Sequence, residues 1–99
     1  MTLTELRYIA AVARLRHFGK AAEACFVSQP TLSVAVRKLE EELGVRLFER
    51  SHSEVLVTDI GQAIVAQAEQ VLRAADGVKA IAEAARDPLG RQLTLGVIY

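Results

Sequence analysis

The chain has no second cysteine, no long apolar run and no net charge, and each absence removes a class of protein. Cys25 alone cannot close an internal disulfide, which fits a reducing, cytoplasmic compartment. The longest uninterrupted apolar run, Tyr8 to Ala13, is far too short for a helix to span a bilayer. The N-terminus MTLTELR lacks a basic stretch followed by an apolar one, so no secretory signal is expected. His17, His52 and Cys25 do not have the spacing of metal ligands, so no metal or other cofactor is expected. Glu40-Glu41-Glu42 comes without a nucleophile or a pocket; it reads as a solvated face, and the chain as no enzyme. The Gly44-Val45-Arg46 corner lacks the spacing of a phosphate-cradling loop. Internal repeats and low-complexity tracts are missing too.

What is present suffices for one small domain with an appendage. Of 99 residues 52% are apolar, enough for a core without metal or disulfide staples. The 12 cations and 12 carboxylates balance, which by itself argues against a nucleic-acid partner, so their distribution decides more than their sum. Residues 1–58 carry eight cations against seven carboxylates, and residues 59–87 three against five. Any phosphate binding must come from a few placed arginines rather than from a broad field.

Local signals divide the chain cleanly. Thr2-Leu3-Thr4-Glu5 fits a capping box, and Leu6, Ile9, Ala10 and Ala13 follow at helical spacing, so a first helix runs from Leu3 to about Leu15. Phe18 to Cys25 makes a short second helix whose Ala21 and Ala22 admit a close neighbour. Phe26-Val27 forms a turn, Ser28 caps a third helix, and Pro30 is tolerated because first-turn amides have no intrahelical partner. Leu32, Ala35, Val36, Leu39 and Leu43 form the apolar stripe of that helix, and Gly44 stops it. Two short helices and a tight turn are a helix-turn-helix pattern. Leu47-Phe48 and Val55-Leu56-Val57 then flank the polar Ser51-His52-Ser53-Glu54 as a hairpin. Thr58 caps a long helix to about Arg86, with Gly61 in its first turn and Gly77 inside it. Asp87-Pro88-Leu89-Gly90 breaks the chain, and RQLTLGVIY reads as a strand beginning a second domain.

The third helix is the candidate reader. At about 100° per residue, Pro30, Ser33, Val34, Arg37 and Glu41 face away from the apolar stripe, with Gln29 at the margin. Glutamine can pair with adenine, serine can meet several base edges, Val34 or Pro30 can touch a thymine methyl, and Arg37 can reach guanine or phosphate. The three glutamates near the C-terminal end would repel phosphate, so the helix should meet a major groove N-terminus first. The bland alternative is an ordinary helix start with an Arg37–Glu41 surface pair, in a winged helix that docks on a protein.

The run HFGKAAEACFVSQPTLSVAVRKLEEELGVRLFER, followed by LVT and Gly61, resembles the LysR-type transcriptional regulators. Within them, RHFGKAAEACFVSQPTLS with QLTLGVIY looks most like the OxyR-type peroxide sensors. The resemblance implies a mainly α fold: a winged helix-turn-helix of three helices plus a β-hairpin wing over residues 1–58, then a long dimerisation linker helix over 59–87. Residues 88–99 would be the hinge and first strand of a regulatory domain, and redox cysteines would belong to that domain. It implies sequence-specific binding of double-stranded promoter DNA, with helix 28–43 in the major groove. DNA contacts then fall on Ser28, Gln29, Pro30, Thr31, Ser33 and Arg37, with Arg50 of the hairpin on a backbone phosphate. Many members carry a basic residue where this chain has Ser53; His52 is the substitute expected here, most effective when protonated. Ser28, Thr31 and Thr58 would join Arg50 as backbone anchors that set register. A homodimer is the implied state, dimer versus tetramer being open, with RNA polymerase as a partner of the full-length protein.

The linker helix supports a dimer through its own pattern. Ile64, Ala68, Val71, Ala75, Val78, Ala82 and Ala85 alternate steps of four and three, a heptad seam. The competing use of that face is packing on the helix's own domain. Residues 1–58 are expected to bury their stripes unaided, which favours the dimer.

Overall fold

The computed structural model describes residues 1–51 and 54–86. Helices α1 (Leu3–Leu15), α2 (Phe18–Ala24) and α3 (Gln29–Leu43) precede strands β1 (Phe48–Ser51) and β2 (Glu54–Val57), and α4 (Asp59–Arg86) follows. His52 and the strand expected within residues 88–99 lie outside the described residues.

Each helix begins where its capping chemistry places it. The Glu5 amide donates to the Thr2 hydroxyl at 3.1 Å, and the Thr2 amide donates back to the Glu5 carboxylate at 2.9 Å. The ring of His17, considered in the sequence only as a metal ligand, caps α2: its Nδ1 accepts from the Lys20 amide at 2.9 Å. Ser28 caps α3, accepting from the Thr31 amide at 3.3 Å, and Pro30 sits in the first turn. Gly44 ends α3 in the left-handed region at φ 73°. Cys25 is the C-cap of α2 rather than its last helical residue; its amide donates to the carbonyls of Ala21 and Ala22.

The turn between α2 and α3 holds a strained residue. Phe26 has φ 60° and is 93% exposed, so a bulky side chain occupies a left-handed conformation and gains no burial for it. Phe26→Gly should therefore raise stability by about 1 kcal/mol, relief of strain outweighing glycine's extra unfolded-state entropy. Urea unfolding of the two chains is the check, and an unchanged or lower midpoint would refute it.

The core is built from Ile9, Val12, Leu32, Leu39 and Leu47, all fully enclosed, with Leu6, Phe18, Ala21, Val36, Phe48 and Val55 around them. Two expectations need correction. Along the apolar stripe of α3, Leu43 is 37% exposed and Ala35 only half-buried. Residues 1–58 do not close their own core: α1 buries Leu6, Ile9, Ala10, Ala11 and Val12, a face wider than α2 and α3 cover, and α4 packs along it. Val65 and Ala68 of α4 are accordingly core residues, with Ile64 and Leu72 packed against them.

β1 and β2 pair antiparallel from Phe48↔Val57 to Ser51↔Glu54. The start of the hairpin is tied down from two sides. The Glu40 carboxylate accepts from the amides of Leu47 (2.7 Å) and Phe48 (3.2 Å). The Thr58 hydroxyl donates to the Arg46 carbonyl at 2.7 Å and accepts from the Gly61 amide at 2.9 Å, while the Thr58 amide donates to the Leu47 carbonyl. Gly61 is buried there, and the close approach requires glycine because a Cβ would overlap the Leu47 carbonyl oxygen. Wing, recognition helix and α4 thus converge on one short stretch of backbone.

Candidate nucleic-acid interface

The first turns of α3 form an open polar surface. Ser28, Gln29, Pro30, Thr31 and Arg37 are exposed, and Val34 is 44% exposed. The Ser28 hydroxyl donates to that of Thr31 at 2.9 Å, which leaves the Thr31 hydroxyl hydrogen free to meet an external acceptor. Ser33 sits differently from its neighbours on the helical wheel: it is half-buried and turned to the side of α3 that faces β1. The N-terminal amides of α3 point the same way as this surface, a favourable place for anionic groups.

The glutamates expected to repel DNA as a block are mostly occupied. Glu40 is bound to the backbone of β1, and Glu42 accepts from the Met1 ammonium at 3.0 and 3.1 Å. That hydrogen bond is the main reason the ammonium is held above its ordinary pKa. The solvated-face reading of Glu40-Glu41-Glu42 is corrected accordingly: Glu40 fixes the fold and Glu42 pairs with the chain start. Among the described residues every ion pair involves Met1, so the Arg37–Glu41 pair is not formed.

Beside α3 an open cleft of about 370 Å³ is lined by Ser33, Val36, Arg37, Glu40, Arg46 and Arg50, with Phe18 and Phe48 at its base. Arg46 received no role from the sequence, since nothing in helical or strand periodicity marks a residue in a corner. Thr58, expected as a backbone anchor, has its hydroxyl engaged within the fold. It is half-buried, and its single hydroxyl hydrogen goes to Arg46. Cys25 is half-buried, and burial pushes its thiol up from the ordinary value against the weaker opposing pull of Arg14. That disfavours the reactive thiolate.

The seam on α4 divides in two. Ala68 is buried in the protomer's own core, and Ile64 is half-buried and packed against it. Beyond them Val71 is 38% and Val78 68% exposed, with Ile81 at 63% beside them, and Ala82 and Ala85 are also exposed. Ala75, between Val71 and Val78, is half-buried.

A helix-turn-helix with a two-stranded wing, an open polar helix start and arginines at its flank defines a winged-helix DNA-binding domain. Residues 3–62 match the family described as bacterial regulatory helix-turn-helix protein, lysR family. The chain is 45% identical over 98 residues to the DNA-binding transcriptional dual regulator OxyR of Escherichia coli, covering 99% of this chain and 32% of that one. A full-length OxyR from Pseudomonas aeruginosa superimposes with a TM-score of 0.84 at 60% identity, over 88% of this chain and 30% of that one. A CbnR DBD–DNA complex gives 0.80 at 35% identity, over 86% and 98%. The chain belongs to the lysR family and carries its DNA-binding domain in an OxyR-like form. It spans about a third of the length of the OxyR relative it matches.

Proposed function

We propose that this chain is the promoter-reading and pairing segment of an OxyR-like, peroxide-responsive regulator working in the cytoplasm. Residues 1–58 bind the duplex, residues 59–87 pair two protomers, and a sensing domain follows from residue 88. The exposed polar start of α3, beside three arginines that pair with no carboxylate among the described residues, carries the DNA reading. Gln29, Pro30, Thr31 and Val34 face base edges, Ser33 reaches them from the side of the cleft, and Ser28, Arg37 and Arg50 meet the backbone. The exposed stretch from Val71 to Ala85 joins two copies, so that two α3 helices reach successive major grooves. RNA polymerase is the partner of the longer protein. His52 supplements the anchors from the wing.

Substitutions separate these roles. Gln29→Ala or Ser33→Ala should lower discrimination between a specific and a random duplex by about 1–3 kcal/mol for each base edge no longer read. Arg50→Ala should weaken both duplexes alike and reduce the slope of log affinity against log salt by about one. Gel-shift titrations at several salt concentrations read both effects. Equal losses from both kinds of variant would overturn the assignment, and no binding to any duplex at low salt would favour a protein-docking module.

A further inference from the structure

Arg50 belongs to β1, opposite Val55, and is exposed, yet its guanidinium rests on a neighbouring ring. Its Cζ lies 4.1 Å from the centroid of the Phe18 ring. Phe18 is the first residue of α2 and is buried; Phe48 holds it edge-on, with ring centroids 6.2 Å apart and planes at 83°. The ring that carries Arg50 is thus itself fixed by the core.

The placement puts Arg50 between two openings. On one side is the cleft shared with Ser33, Arg37 and Arg46; on the other are His17, Gln29 and Glu54. Glu40 lines the first cleft, but its Oε2 is occupied by two backbone amides. A guanidinium stacked on an aromatic face keeps its in-plane N–H groups for an anion, and a stacked, immobile fork loses less freedom when that anion arrives.

We propose that Phe18 is a positioning residue for duplex binding: it holds the Arg50 guanidinium against its ring, presetting the donor edge toward the cleft where Arg37 and Arg46 help seat one backbone phosphate. The inference rests on the DNA reading above and assigns a task to a core residue that touches no DNA. Through this stacking the wing and the recognition helix share one anchor.

The test is a double-substitution cycle in gel shifts of the 99-residue chain, across salt concentrations. Phe18→Leu should weaken specific and random duplexes alike by about 3–10-fold, the size of a partly exposed cation–π interaction, with the salt slope unchanged because no cation is removed. In an Arg50→Ala background the same change should have no further effect. Equal losses in both backgrounds would overturn the proposal and leave Phe18 a packing residue. Should circular dichroism show Phe18→Leu unfolded, Arg50→Lys decides, since it keeps the charge and the slope but lacks the planar stack. A loss of similar size supports the proposal, and wild-type affinity overturns it. A parent chain that binds no duplex would sink the DNA reading and this inference together, an outcome distinct from additive losses in a chain that binds.

Discussion

Gly61→Ala should cost about 3 kcal/mol of stability, although alanine is the better helix former. The added methyl would overlap the Leu47 carbonyl oxygen and sit 3.0 Å from its carbon, and this neighbour is backbone that cannot swing aside. The start of α4 must then move off the hairpin. That strains the Thr58 bonds to Arg46 and Leu47 and loosens Val65 and Ala68 over α1. Gly77, on the same helix, has nothing within 4 Å of its would-be Cβ, so Gly77→Ala should gain about 1 kcal/mol by propensity alone. Urea denaturation of both variants makes the comparison. Similar midpoints for the two would show that the approach to Leu47 does not constrain α4.

Glu40→Ala should be the second large loss, about 2–3 kcal/mol, because two amides at the start of β1 are left without a charged acceptor in a partly buried place. Glu40→Gln keeps an acceptor without the charge and should recover roughly half of it. Glu41→Ala, one residue along and exposed, should stay within about 0.5 kcal/mol of the parent. Thermal or urea melts of the three variants settle the matter. Indistinguishable losses at 40 and 41 would mean that the carboxylate does not hold the hairpin.

These two positions mark where the sequence stops being readable. Caps are local chemistry, so Thr2 with Glu5, Ser28 and Gly44 disclosed the ends of α1 and α3 from neighbouring residues alone. The hairpin and the long helix followed from a change of period and a threonine. Glu40 shows the limit: three consecutive glutamates look alike, and what separates them is which amides the fold brings within reach. Ala68 shows another. A four-three repeat reports that one face of a helix is apolar, without saying whether its own domain or a second copy covers it. The site was legible in outline, since the exposed start of α3 is a matter of helical spacing. Arg46, the orientation of Arg50 and the occupation of Thr58 depend on contacts across eleven or more residues, which no window on the chain can display.

The junction of Thr58, Gly61 and Leu47 also has a mechanical consequence. It ties the start of α4 to the body it crosses, whereas the helix continues from Leu72 to Arg86, roughly 20 Å at the usual rise. The overhang is therefore the handle of a rigid wrench. A torque applied near Arg86 would then reach the reading helix through those bonds as a change of bearing. Two such handles gripped together would set the spacing and tilt of the two heads, with no residue at the DNA surface changing its conformation.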